Sequence, residues 1–202
     1  WVHLKMTGRF LWVEKNRLAE KHDLIRYSFA NCDHDLIFND YRRFGRHRLF
    51  TSGEIRDEGG IRDLGPEPLE ISRDAFVGLC RDSKRMIKPA LLDQTFLAGV
   101  GNIYADEALY ASRIHPMKPT HSLKKDAVTL LHKNIQRILR IAIERMGSSV
   151  DSYRGINGES GTNQKYLKVY GRDGLPCKRC RATIKRVVIG SRSTHFCPKC
   201  QR

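Results

Sequence analysis

The sequence is short of acid and has no long apolar run. Its 202 residues carry 22 Asp and Glu against 37 Lys and Arg, a formal charge of +15. No stretch approaches the about 20 apolar residues a membrane helix needs, so no membrane partner is expected. The opening residues do not read as a signal peptide, and no internal repeat occurs. No acidic pair and no His/Cys dyad offers a catalytic centre of its own. Cysteine is scarce: six in all, four of them in the last 26 residues. Cys32 and Cys80 read as small buried hydrophobes, and this usage suits a reducing cytoplasm. A 40% hydrophobic content is enough for packed cores in one or two domains.

The four clustered cysteines form two knuckles, Cys177-Lys178-Arg179-Cys180 and Cys197-Pro198-Lys199-Cys200, sixteen residues apart. This spacing predicts one structural Zn²⁺, which prefers four tetrahedral ligands and is well served by thiolates. A β-rich run from Thr183 to Ile189, a Gly190-Ser191 turn and a return strand from Thr194 to Phe196 would carry the second knuckle back to the first. The alternative is a pair of disulfides. With four protein ligands no coordination position stays open for catalysis.

Charge concentrates in the same place. Residues 165–202 hold eleven Lys and Arg and one acid, Asp173, and so carry +10 of the total. A basic zinc hairpin is an electrostatic footprint for nucleic acid, the plain alternative being a solvated basic face. Upstream, residues 1–56 read as strands. Val2, Leu4 and Met6 alternate with His3, Lys5 and Thr7, which puts Met6 in a core. Leu24 to Ala30, Leu36 to Phe38 and Leu49-Phe50 continue the set, around an Arg-rich turn from Asp40 to Arg48. The chain opens mid-strand at Trp1, which reads as a fragment. Residues 72–147 read as helical: one helix capped by Ser72, one with Pro89 in its first turn, one over Ile103–Ser112, and a long one from Leu123 to Arg145 stopped by Gly147. The stripe Val128, Leu131, Ile135, Ile138, Leu139, Ala142 and Ile143 is core. Between the shorter helices, Gly99-Val100-Gly101-Asn102 is either an ordinary corner or a backbone anion site at a helix start.

The segment Lys88-Pro89 … Leu97-Ala98-Gly99-Val100-Gly101-Asn102-Ile103-Tyr104-Ala105-Asp106-Glu107 … Ile114-His115-Pro116 resembles the helix–two-turn–helix signature of formamidopyrimidine-DNA glycosylases. Val169-Tyr170-Gly171-Arg172 with the four cysteines resembles that family's zinc finger. His3-Leu4-Lys5-Met6-Thr7-Gly8 and Arg42-Arg43-Phe44-Gly45 match two further motifs, so the resemblance covers essentially the whole chain in family order.

The resemblance implies an α+β fold: a truncated N-terminal β-sandwich (1–56), a linker (57–71), a helix–two-turn–helix domain (72–164) with a lesion-capping loop around 155–164, and a β-hairpin zinc finger (165–202). It implies a cytoplasmic, monomeric base-excision-repair glycosylase and AP lyase. The partner would be duplex DNA containing an oxidised purine, 8-oxoguanine or a formamidopyrimidine, or an abasic site. The damaged base is swung out. Met6, Arg42 and Phe44 would fill the gap, Phe44 as wedge and Arg42 facing the orphaned cytosine. Lys88, Asn102, Arg192 and, less directly, Tyr170 would hold phosphates. Cys177, Cys180, Cys197 and Cys200 would bind zinc. The family's N-terminal proline nucleophile and adjacent glutamate have no match here, so no catalytic residue is assigned and the chain alone is not expected to perform the chemistry. Strands 1–56 would lack sheet partners. The alternatives are the endonuclease VIII branch acting on oxidised pyrimidines, a non-catalytic damaged-DNA-binding paralogue, and a zinc ribbon for RNA or protein.

Overall fold

Three antiparallel strands organise the first part of the chain: β2 (Arg9–Glu14), β3 (Asp23–Ser28) and β4 (His34–Asn39), in the order β2-β4-β3. A two-residue β1 (Val2–His3) pairs with β5 (Arg46–His47), Val2 opposite His47. The computed structural model describes residues 1–51, 53–54, 59–149, 156 and 159–202. These fall into two compact units, Trp1–Glu58 with Ala142–Lys165, and Gly59–Ile141 with Tyr166–Arg202. The described residues from 148 to 164, expected with the helices, therefore group with the strands, and the finger groups with the helices.

In the first unit β4 is central and buries Ile37 and Phe38. Its neighbour β2 carries the contiguous run Phe10-Leu11-Trp12-Val13, which sequence alternation had not separated from its surroundings. The period-two reading of residues 2–7 fails. After β1 the chain turns over residues 5–7 with Lys5 at φ 56°, and Met6 is 66% exposed instead of core. Leu49 and Phe50 form no strand, and Leu49 is 99% exposed; Arg46–His47 pairs instead. Trp12, Leu24 and Phe29 remain substantially exposed on an open sheet.

In the second unit, α1 (Gly59–Arg62) occupies part of the expected linker, whose residues 57 and 58 lie outside the described residues. Helix α2 (Arg73–Arg81) starts where Ser72 Oγ accepts the Ala75 N–H at 3.2 Å. Helices α3 (Ile87–Leu92) and α4 (Asn102–Ala111) flank the Gly99–Gly101 turn, Gly99 lying at φ 81° where a side chain would be strained. They pack with α5 (Lys125–Glu144) around Phe76, Ile87, Leu91, Leu97, Leu109 and Leu131. The α5 stripe buries Val128, Leu131, Ile135, Leu139 and Ala142 as expected, but Ile143 sits at its rim, 65% exposed. The chain leaves α5 through Met146 and Gly147, both at positive φ, with Gly147 N–H on Ala142 O at 2.8 Å. Strands β6 (Lys185–Ile189) and β7 (Arg192–Phe196) form the finger's hairpin. Gly190 (φ 54°) and Ser191 (φ 62°) close it with the paired positive φ of a tight hairpin turn. No described helix is long and apolar enough to cross a membrane.

Candidate nucleic-acid interface

In the first unit, the turns carrying Met6 and Arg42–Phe44 close on one side chain. A Cβ on Gly8 would run into Leu4 O and the Phe38 ring, and one on Gly45 into the same ring. Both turns therefore need glycine to approach Phe38. Both are also tied to Asp40, which is fully buried and accepts from the Thr7 hydroxyl, the Gly45 N–H at 2.8 Å and the Arg42 N–H at 3.2 Å. Burial raises the Asp40 pKa, but the bonds from Thr7 and the Gly45, Arg42 and Phe44 N–H groups prevail and hold it below the usual carboxylate range.

The result is a cluster of three side chains from two distant segments. Arg42 Nη1 donates to Met6 Sδ at 3.3 Å, and the guanidinium lies 4.8 Å from the Phe44 ring centroid. Phe44 is 55% exposed. Two large apolar side chains are thus held at the surface around a cation, an arrangement suited to entering a base stack.

In the second unit the four cysteine sulfurs lie within 4.8 Å of one another. The Cys177–Cys200 pair is 3.9 Å apart and the Cys180–Cys197 pair 3.4 Å, too long for disulfides. They are close to the sulfur–sulfur edge of about 3.8 Å implied by four 2.3 Å zinc–sulfur bonds in a tetrahedron. Burial and the neighbouring thiols push the Cys200 thiol up to about 12. Against its own burial, Cys177 is drawn down to about 6 by the Tyr110 hydroxyl and the Arg179 and Cys180 N–H groups. Four sulfurs this close cannot all ionise without a cation, and a divalent ion with a taste for thiolate removes the conflict. The donor set fits zinc.

Asn102 opens α4, and its Nδ2 donates to Ser193 O at 3.0 Å, which fixes it beside exposed Arg192 at the hairpin turn. Tyr170 stacks edge-on against His195, their centroids 4.8 Å apart. Lys88 is not where a phosphate contact requires it. It is fully buried, and its ammonium is paired with Asp106. Burial lowers its pKa and Asp106 only partly offsets this. A side chain with no exposed surface cannot meet a phosphate, so the expected grip by Lys88 is corrected to an internal tie.

That tie extends into the finger. The other Asp106 oxygen accepts the His195 N–H at 2.9 Å, holding β7 to α4. Next to it, buried Glu107 accepts the N–H groups of Lys168, Val169 and Tyr170 at 2.9–3.0 Å. Asp40, Asp106 and Glu107 position the exposed residues, and none was assigned a role from sequence. Only the proximity of Asp40 to Gly45 hinted at an acid-capped turn. Of the expected capping loop at 155–164, residues 155, 157 and 158 lie outside the described residues. Ile156 O accepts the Trp12 N–H at 3.1 Å.

Family models match along the chain: the formamidopyrimidine-DNA glycosylase N-terminal domain over residues 1–47, the H2TH domain of the same glycosylases over 64–154, and a zinc finger found in FPG and IleRS over 174–202. A formamidopyrimidine-DNA glycosylase of Lactiplantibacillus plantarum is 42% identical over 202 residues, 99% of this chain and 73% of that protein. A Lactococcus lactis FPG variant, solved with Fapy-dG-containing DNA, superposes with a TM-score of 0.90 at 39% identity, covering all of this chain and 74% of the other. MutM in complex with carbocyclic 8-oxo-G-containing DNA gives 0.89 at 38% identity, covering 100% and 73%.

Proposed function

The chain belongs to the formamidopyrimidine-DNA glycosylase family, and from that premise we propose that its 202 residues are the DNA-gripping part of a glycosylase/AP lyase for oxidised purines. The observation that carries the reading is the exposed Met6–Arg42–Phe44 cluster. Phe44 wedges between base pairs, and Met6 fills the space of the extruded nucleotide with soft, polarisable bulk. Arg42 directs guanidinium donors at the acceptors of an unpaired cytosine.

Phosphates are held by Arg192 and by the amide of Asn102, with Tyr170 bracing the approach to the finger. A zinc ion on Cys177, Cys180, Cys197 and Cys200 would supply rigidity to the knuckles and no reaction step. The nucleophilic amine and carboxylate that the family resemblance requires have no counterpart among these residues, so base release is not assigned to them. The partner is a duplex carrying 8-oxoguanine, a formamidopyrimidine or an abasic site, bound by one copy of the chain.

The test is binding to duplexes with an abasic analogue placed opposite each of the four bases. The parent should prefer cytosine, and Arg42→Ala should flatten that preference while leaving zinc content unchanged. Equal preference in both proteins would remove Arg42 from the reading. Tighter binding to a thymine-glycol duplex than to an 8-oxoguanine duplex would move the chain to the oxidised-pyrimidine branch.

A further inference from the structure

At the knuckle end of the finger a cleft of about 500 Å³ is lined by Arg113, Arg179, Cys180, Lys199, Cys200 and Arg202. Four of these six have cationic side chains and none has an acidic one. Among the described residues none of the four forms an ion pair with a carboxylate, although exposed arginines elsewhere pair with Asp63, Asp74 and Asp82.

The backbone assembles this group. Arg113 follows α4 in a left-handed conformation (φ 59°). The chain's last residues are sewn to it: Gln201 Nε2 donates to Ile114 O at 2.9 Å and Arg202 N–H to Arg113 O at 3.3 Å. Arg179, inside the first knuckle, is fixed by a bond to Tyr110 O at 3.3 Å and by its position 4.5 Å from the Tyr110 ring centroid. Lys199 occupies the equivalent place in the second knuckle. Holding four like charges around one cleft is unfavourable unless something negative sits there. Zinc on four thiolates carries a net charge of about −2. That offsets only part of the charge of the four lining side chains and leaves the cleft net positive even with the α-carboxylate of Arg202 counted. A phosphate group of about −1.5 to −2 is a ligand of the required sign.

We propose that this cleft is a phosphate-binding site, contacted chiefly by Arg113, Lys199 and Arg202. It is separate from the phosphate contact assigned to Arg192. In the hairpin register Ile189 opposite Arg192 marks the turn end and Lys185 opposite Phe196 the knuckle end. Four residues of strand separate them, about 14 Å, so one phosphate cannot serve both. The group bound is either a backbone phosphate of nucleic acid or a free phosphate compound.

The experiment uses the zinc-loaded chain and the exposed-residue double variant Arg113→Gln/Lys199→Gln. Inorganic phosphate and pyrophosphate are titrated while amide resonances of Arg113, Lys199 and Arg202 are followed. Duplex binding is measured against salt in parallel, and zinc retention against a chelator. The parent should show saturable shifts, and the variant should lose affinity about tenfold or more for each charged contact removed. If the variant's log–log salt slope for duplex also falls, by about 0.9 per phosphate lost, the site serves nucleic acid. If phosphate binding falls and the slope does not, it serves a free phosphate compound. Absence of saturable shifts in the parent overturns the proposal. So does a variant that loses only zinc retention, because the cations would then serve the thiolates alone.

Discussion

Asp40→Asn is the sharpest perturbation available to the first unit, because one carboxylate holds both turns of the Met6–Arg42–Phe44 cluster. One oxygen takes the Thr7 hydroxyl and the Arg42 N–H; the other takes the Gly45 N–H. In asparagine one of those oxygens becomes an amino group. If it faces Thr7, the hydroxyl can rotate and accept, but the Arg42 N–H loses its acceptor. If it faces Gly45, that N–H is orphaned. Either way one part-buried backbone donor loses its acceptor, at about 1 kcal/mol or more, and the surviving bonds lose charge assistance. The expected destabilisation is about 2–4 kcal/mol, read by urea denaturation and by hydrogen exchange at Gly45. The pH dependence has a defined sign. The folded-state pKa of Asp40 lies below the usual value, so its stabilisation is complete above about 3.9, the unfolded value, and is lost as pH falls through the lower folded value. The gap between parent and variant should therefore be widest near neutrality and close in strong acid. A variant within about 0.5 kcal/mol of the parent at pH 7, with an unchanged preference for the base opposite the lesion, would refute the claim that Asp40 builds the cluster.

The remaining predictions concern the second unit. Chelation should abolish exchange protection in β6 and β7 and weaken duplex binding, because zinc binding and local folding are one equilibrium; binding that survives full zinc loss unchanged would show that the finger is no anchor. Arg192→Ala should lower the log–log salt slope by about 0.9 with zinc content intact. Lys88→Met strands the Asp106 charge and should cost about 3–5 kcal/mol of stability, whereas Lys88→Met/Asp106→Asn should recover much of it, since asparagine can still accept the His195 N–H; a salt-slope change with no stability loss would restore Lys88 as a phosphate ligand. Glu107→Ala leaves three N–H groups, that of buried Val169 among them, without their acceptor and should cost about 3 kcal/mol, with Glu107→Gln costing clearly less; equal small losses in both would mean that the carboxylate organises nothing.

What was readable in the sequence follows the range of the interactions involved. The clustering of the four cysteines, the Ser72 cap, the Gly147 stop and the Gly190-Ser191 turn are set within a few residues or by ligand spacing, and each is found where expected. Alternation failed at Met6 because it reports faces only while a strand continues, and β1 is two residues long. The chain reverses at Lys5, after which odd and even positions no longer mark inside and outside. Leu49 shows the same limit: an apolar residue near strands has no address until its partner strand is known.

Lys88 failed for a different reason. Lysine is almost never fully buried unless paired, and its partner lies eighteen residues away on another helix. Nothing local distinguishes a lysine destined for a phosphate from one destined for Asp106. The two fates are nevertheless related. Asp106 also holds His195, and His195 sits on the strand that begins with Arg192. A buried charge pair is weak evidence for stability, and better evidence for a position that must be unique. Here the unique position is the register of β7 against α4, which also sets Asn102 against Ser193. The lysine that the motif marks thus acts one step behind the surface. It fixes the acid that fixes the strand, and in the proposed reading the exposed arginine at the head of that strand is the one that meets the phosphate.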